Sequence, residues 1–93
     1  MDKIRKKVTF YGTVQGVGFR YRAYCAAHTY GVTGWVRNAE DGSVEAEFEG
    51  TREDISSVLE SIAAGHYISI DNIVTTLIPV QNDRNFRIKD DWY

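Results

Sequence analysis

Eleven residues near the start of the chain, GTVQGVGFRYR from Gly12 to Arg22, combine residue types that suit an anion. Gly12, Gly16 and Gly18 free the backbone, Arg20 and Arg22 add two cations, and no acid interrupts the run. Two readings fit these residues alone. One is an ordinary glycine turn with solvated arginines. The other is a loop whose backbone N–H groups converge on a negative ligand, since Gly16 and Gly18 allow positive φ and close approach. The second reading gains if a helix starts just after the loop, because unpaired N–H groups and the helix dipole favour an anion there. Arg20 would then stand at the mouth, with a guanidinium fork that matches two phosphate oxygens. The pattern is neither a P-loop, which needs GxxxxGK[ST], nor the G-x-G-x-x-G of dinucleotide folds.

The elements that must hold this loop follow from hydrophobic periodicity. Lys7 to Val14 alternate, with Val8, Phe10, Gly12 and Val14 on one side, which predicts a strand. Phe19 to Tyr30 read as a helix stopped by Gly31. Val32 to Asn38 form a second strand, and Asp41-Gly42 predicts a hairpin into a third. That third strand, Ser43 to Glu49, turns Val44, Ala46 and Phe48 inward. Its Glu45, Glu47 and Glu49 read as a solvated face. Thr51 is a predicted N-cap with Asp54 in the capping-box position, and Ile55, Val58, Leu59 and Ile62 give the second helix one apolar stripe closed by Gly65. Strand patterns return near 70–80 and 85–89.

The order is β-α-β-β-α-β with one strand over. Helices with a single apolar stripe must cover one face of one sheet. This predicts an α+β, ferredoxin-like split βαβ sandwich: an antiparallel sheet with two helices on one face and the third strand between the first two. In that topology the first two strands run the same way, so the glycine loop and Asn38 end on the same edge of the sheet. Two strand spacings put their backbones about 10 Å apart, a gap for a small tetrahedral anion and a water. Asn38 alone is also a common residue before a turn. Its convergence with the loop and Arg20 is what favours a site.

Composition narrows the classes. The 93 residues, read as a single domain over 1–93, carry 11 basic and 13 acidic side chains, so no global field draws in nucleic acid or an anionic membrane. No apolar run approaches spanning length, and the charged start MDKIRKKVTF lacks a signal-peptide core. One cysteine, Cys25, excludes an internal disulfide, and no Cys/His group has zinc-ligand spacing. A cytoplasmic monomer is the expectation. Cys25 reads as a small packed side chain, Arg22 as a surface residue, His28 and His66 as helix-face and loop residues, and Arg37 as pointing away from Asn38.

GTVQGVGFR (Gly12 to Arg20) and GWVRNAEDGSVEAEFEG (Gly34 to Gly50) resemble the two signature segments of the acylphosphatases, in order and at a similar separation. The resemblance covers nearly the whole chain. It implies hydrolysis of carboxyl-phosphate mixed anhydrides to a carboxylate and inorganic phosphate, with no metal or cofactor and an acyl phosphate as the small-molecule substrate. By the same resemblance Arg20 binds the phosphoryl group, together with backbone N–H groups of Gln15, Gly16, Val17, Gly18 and Phe19, and Asn38 positions the attacking water. The chain departs from the family's frequent Gly-Pro turn after the second helix, reading GHYISIDN from Gly65 to Asn72. That departure bears on the turn and the pocket wall, not on Arg20 or Asn38.

Two rivals share the scaffold. An RNA-binding RRM would need aromatic central strands and a basic face, whereas the third strand offers three glutamates. The other is a catalytically idle ligand-binding or protein-interaction domain, since fold does not fix function. The presence of both Arg20 and Asn38 argues for the enzyme.

Overall fold

The computed structural model describes residues 2–89. The elements are β1 (Ile4–Thr13), α1 (Phe19–Tyr30), β2 (Thr33–Asn38), β3 (Val44–Gly50), α2 (Arg52–Ala63), β4 (Ser69–Ile78) and β5 (Phe86–Ile88). They form one five-stranded sheet in the order β4-β1-β3-β2-β5, with β3 between β1 and β2 as the split βαβ topology requires. The pairs β1–β3, β1–β4 and β2–β3 are antiparallel, but β5 lies parallel to β2. The sheet is therefore mixed rather than antiparallel. Phe86, 4% exposed, stacks on Phe48 with centroids 5.7 Å apart. That apolar anchor holds a strand too short to be stable by its ladder alone.

The core is built by alternation. Val8 and Phe10 from β1, Val36 from β2, and Val44, Ala46 and Phe48 from β3 are fully buried against Ala23 and Ala27 of α1 and Ile55, Val58 and Ile62 of α2. The two helices end differently at their N-termini. Thr51 caps α2 by accepting from the Asp54 N–H at 3.1 Å, and Glu53 and Asp54 supply first-turn acids. At the start of α1, Gly18 has no side chain to offer, and no acid lies in the first turn. A chain that caps one helix this way leaves the N–H groups of the other open to a ligand.

Three further readings are corrected, the first on the sheet face opposite the helices. β1 begins at Ile4, which brings Arg5 into the ladder opposite Glu49. Arg5 is 1% exposed and bonds Glu47, Glu49 and Asp83, so this face carries a buried ion cluster where a solvated row was expected. Second, α2 is capped by Ala64 in ordinary helical geometry, not by Gly65. Third, Cys25 is exposed on α1 rather than packed. For Tyr93 the sequence leaves both completing the edge strand and hanging free open, and the residue lies outside the described ones.

Candidate active site

The strands deliver three segments to one end of the sheet. β1 and β2 both run antiparallel to β3, so the 14–18 loop and Asn38 arrive together. β5, parallel to β2, brings Ile88 to the same end. Val14, Gly18, Phe19, Arg20, Asn38 and Ile88 line a cavity of about 270 Å³, with Tyr21 at its side. This is roomier than the gap for one anion and one water expected from strand spacing, because Tyr21 of α1 and Ile88 of β5 extend its wall beyond β1 and β2.

Each part of the loop has a distinct anchor. Phe19 is 2% exposed and packs edge-on against Phe10 at 4.8 Å, which pins the first helical residue to the core. Gly18 sits at φ 79°, ψ 16°, the left-handed geometry that turns the chain into α1. Gly16 shares that region at φ 74°. Gly12 serves a different end: a Cβ there would lie 2.3 Å from the Ser69 carbonyl oxygen, at the register shift where β4 inserts an extra residue against β1. Of the loop residues named for backbone binding, Gly18 and Phe19 line the cavity, whereas Gln15, Gly16 and Val17 are not among its lining residues.

Gln15 has a role that sequence reasoning missed. Its side-chain amide donates to the carbonyl oxygens of Ala39 at 2.7 Å and Ser43 at 2.9 Å. This ties the loop to the β2–β3 hairpin just beyond Asn38, so both halves of the cavity are fixed to one another. The hairpin is itself stiffened by Asp41, whose Oδ1 accepts from the Ser43 hydroxyl at 2.6 Å and the Ser43 N–H at 2.9 Å. Those two bonds, the hydroxyl's first, hold the Asp41 carboxyl below the usual aspartate value. No spacing rule predicts the Gln15 bridge, because it joins residues 24 and 28 positions apart.

Arg37 points away from Asn38 as alternation requires, donating to Glu45 at 2.7 and 2.9 Å on the opposite face. Arg22 is not merely a surface residue: its Nε donates to the Ser61 carbonyl at 2.6 Å and links α1 to α2. No carboxylate or imidazole is among the residues lining the cavity. Among the described residues no group of three or more His, Cys, Asp or Glu side chains could hold a metal, and no helix is long and apolar enough to cross a membrane.

Fold and cavity together define the class: a ferredoxin-like α+β domain with a glycine loop, an arginine and an asparagine gathered at one sheet edge. Known proteins of this build are matched along the chain. The Acylphosphatase family model matches residues 6–88. An acylphosphatase of Leuconostoc mesenteroides is 40% identical over 86 residues, 89% of this chain and 94% of that protein. One of Bifidobacterium longum is 47% identical over 62 residues, 67% of this chain and 64% of that protein. The crystal structure of acylphosphatase from Bacillus subtilis superposes with a TM-score of 0.86 at 31% identity, covering 92% of this chain and 98% of that one. The chain belongs to the acylphosphatase family, and its activity is that of an acylphosphatase.

Proposed function

We propose that Arg20 and the backbone N–H groups of Gln15 to Phe19 hold the phosphoryl group of an acyl phosphate, while Asn38 orients the water that attacks it. The observation that carries this reading is that Arg20 and Asn38, 18 positions apart in sequence, line the same cavity at the uncapped start of α1. Water attacks phosphorus in line, the bond from phosphorus to the acyl oxygen breaks, and its electron pair leaves on the carboxylate. The water's protons end on inorganic phosphate and solvent. A carboxylate is a weak base, with a pKa of about 4, so its departure needs no acid. Catalysis then rests on positioning and on donors aimed at the charged oxygens. A cavity wall without carboxylates suits a dianion, which a nearby acid would repel.

The test is steady-state hydrolysis of benzoyl phosphate and acetyl phosphate, with inorganic phosphate as competitor. Arg20→Ala and Asn38→Ala should each lose on the order of 10²–10³ in kcat, the usual cost of one charge-stabilising donor. Inorganic phosphate inhibition should weaken in Arg20→Ala and persist in Asn38→Ala. Either variant working at the parent rate would remove that residue from the mechanism.

A further inference from the structure

We propose that a second cavity, on the α2–β4 side of the glycine loop, receives the acyl group and favours aromatic and other bulky apolar acyl phosphates; this rests on the first cavity being the phosphoryl site. The second cavity has a volume of about 330 Å³. It lies between α1, which contributes Tyr21 and Cys25, and the turn between α2 and β4, which contributes His66, Tyr67 and Ile68. That turn closes with the Ile68 N–H donating to the Gly65 carbonyl at 3.2 Å. β4 pairs antiparallel with β1, so its first residue, Ser69, lies opposite Thr13. The register therefore places the turn beside the loop.

Two observations connect this cavity to the first. Gly18 and Tyr21 line both. A Cβ at Gly18 would meet nothing within 4 Å, so the partition at that residue is bare backbone with open space above it. A ligand with its phosphoryl group in the first cavity can therefore extend across Gly18 along the Tyr21 ring. An acyl phosphate has the shape for this, because its carbonyl carbon is joined to phosphorus through one oxygen and its substituent must leave the cradle at the mouth.

The walls select for an apolar group. Tyr21 and Tyr67 are 68% and 75% exposed, unusual for large rings facing one concavity. Both are held in place. Tyr21 stacks on Tyr24 with centroids 6.4 Å apart. The His66 ring packs edge-on against Tyr67 at 4.9 Å. No carboxylate is among the lining residues, and the lining cation, Arg22, turns its Nε to the Ser61 carbonyl. An acyl group carrying its own charge finds less here than a ring does.

The experiment compares kcat/KM for benzoyl and acetyl phosphate in the parent chain, in Tyr67→Ala, and in the parent alkylated with iodoacetamide at Cys25, its one cysteine. Removing the Tyr67 ring or filling the cavity from Cys25 should each lower the benzoyl-to-acetyl ratio about tenfold, the scale of a lost apolar pocket contact. Tyr67→Phe, which keeps the ring, should hold the ratio. Inhibition by benzylphosphonate should weaken by a similar factor in Tyr67→Ala, and inhibition by methylphosphonate should not. A ratio within twofold of the parent in both altered proteins, with both substrates still hydrolysed, overturns the acyl-pocket assignment and leaves the phosphoryl site standing. A parent chain that hydrolyses neither substrate overturns the phosphoryl reading and this inference with it.

Discussion

Replacing Arg5 with alanine should cost this protein a large share of its stability while leaving the reaction per folded molecule intact. Arg5 Nε lies 2.8 Å from Glu47 Oε1, and one terminal nitrogen lies 3.2 Å from Glu49 Oε1 and 2.9 Å from Asp83 Oδ2. Burial works to lower the Arg5 pKa, but the bonds to Glu47, Asp83 and Glu49 outweigh it and raise the value, so the guanidinium stays charged. The Glu49 side chain is wholly buried; its Oε1 also accepts from the Gln81 N–H at 2.7 Å, and its Oε2 has no partner among the described residues. Without Arg5, a buried carboxylate is left beside two others. Removing one partner of a buried pair costs about 3–5 kcal/mol, against a total of about 5–15 kcal/mol for a small domain. Taking about 4 kcal/mol and a urea m-value of about 1.5 kcal/mol per molar, the unfolding midpoint should fall by roughly 2.7 M. Tryptophan fluorescence reads the transition, since Trp35 is packed under Lys89 and Arg37 on this same face. Thr13 lies eight positions past Arg5 along β1, about 27 Å of strand, so kcat/KM without denaturant should stay within twofold. Arg5→Met combined with Glu49→Met should recover most of the loss, because an apolar pair of similar volume carries no desolvation cost. A midpoint shift below about 0.7 M for Arg5→Ala, equivalent to about 1 kcal/mol, would refute the reasoning.

Two further outcomes follow from the loop and the hairpin. Gln15→Ala removes two bonds worth about 0.5–1.5 kcal/mol each. The freed carbonyls keep the N–H groups of Gly42 and Ala39, so no acceptor is stranded; urea unfolding should show a loss of about 1–3 kcal/mol, and inorganic phosphate should inhibit more weakly as the loop loosens. The lowered pKa of Asp41 sets a sign for acid behaviour. Its contribution to stability is fully present above the ordinary aspartate value of 3.8 and is lost as pH falls through the lower folded value. Asp41→Asn should flatten the stability-versus-pH curve in that acid window, and an NMR titration of Asp41 should give a midpoint below 3.8.

Much of the site was legible in the one-dimensional pattern, because its parts are local. A glycine run after an alternating strand, an arginine two residues past Gly18, and an asparagine before a Asp-Gly turn are short-range signals. The strand and helix periods carried the topology, and topology carried Asn38 to the loop. The misreading of the third strand's glutamates as a solvated row has one cause, which is that it depends on neighbours distant in sequence. Starting β1 at Lys7 instead of Ile4 hid Arg5, and without Arg5 the row Glu45, Glu47, Glu49 looks solvated. Alternation says which way a side chain points, and not what covers it. Asp83 and Gln81, which close over the cluster, come from a segment with no periodicity at all.

The sequence by itself determined the element order, the apolar faces, and the glycine loop with Arg20 and Asn38, since each is written in spacings of two to four residues. Only the tertiary structure decided how those pieces are held. The Gln15 bridge spans 24 and 28 positions, the Arg5 cluster up to 78, and the parallel docking of β5 rests on Phe86 finding Phe48. It also decided that the turn at His66–Ile68 lies beside the glycine loop, because β4 returns antiparallel along β1. Partners at such separations are chosen by packing and by the cost of burying charge alone, and neither leaves a period in the chain.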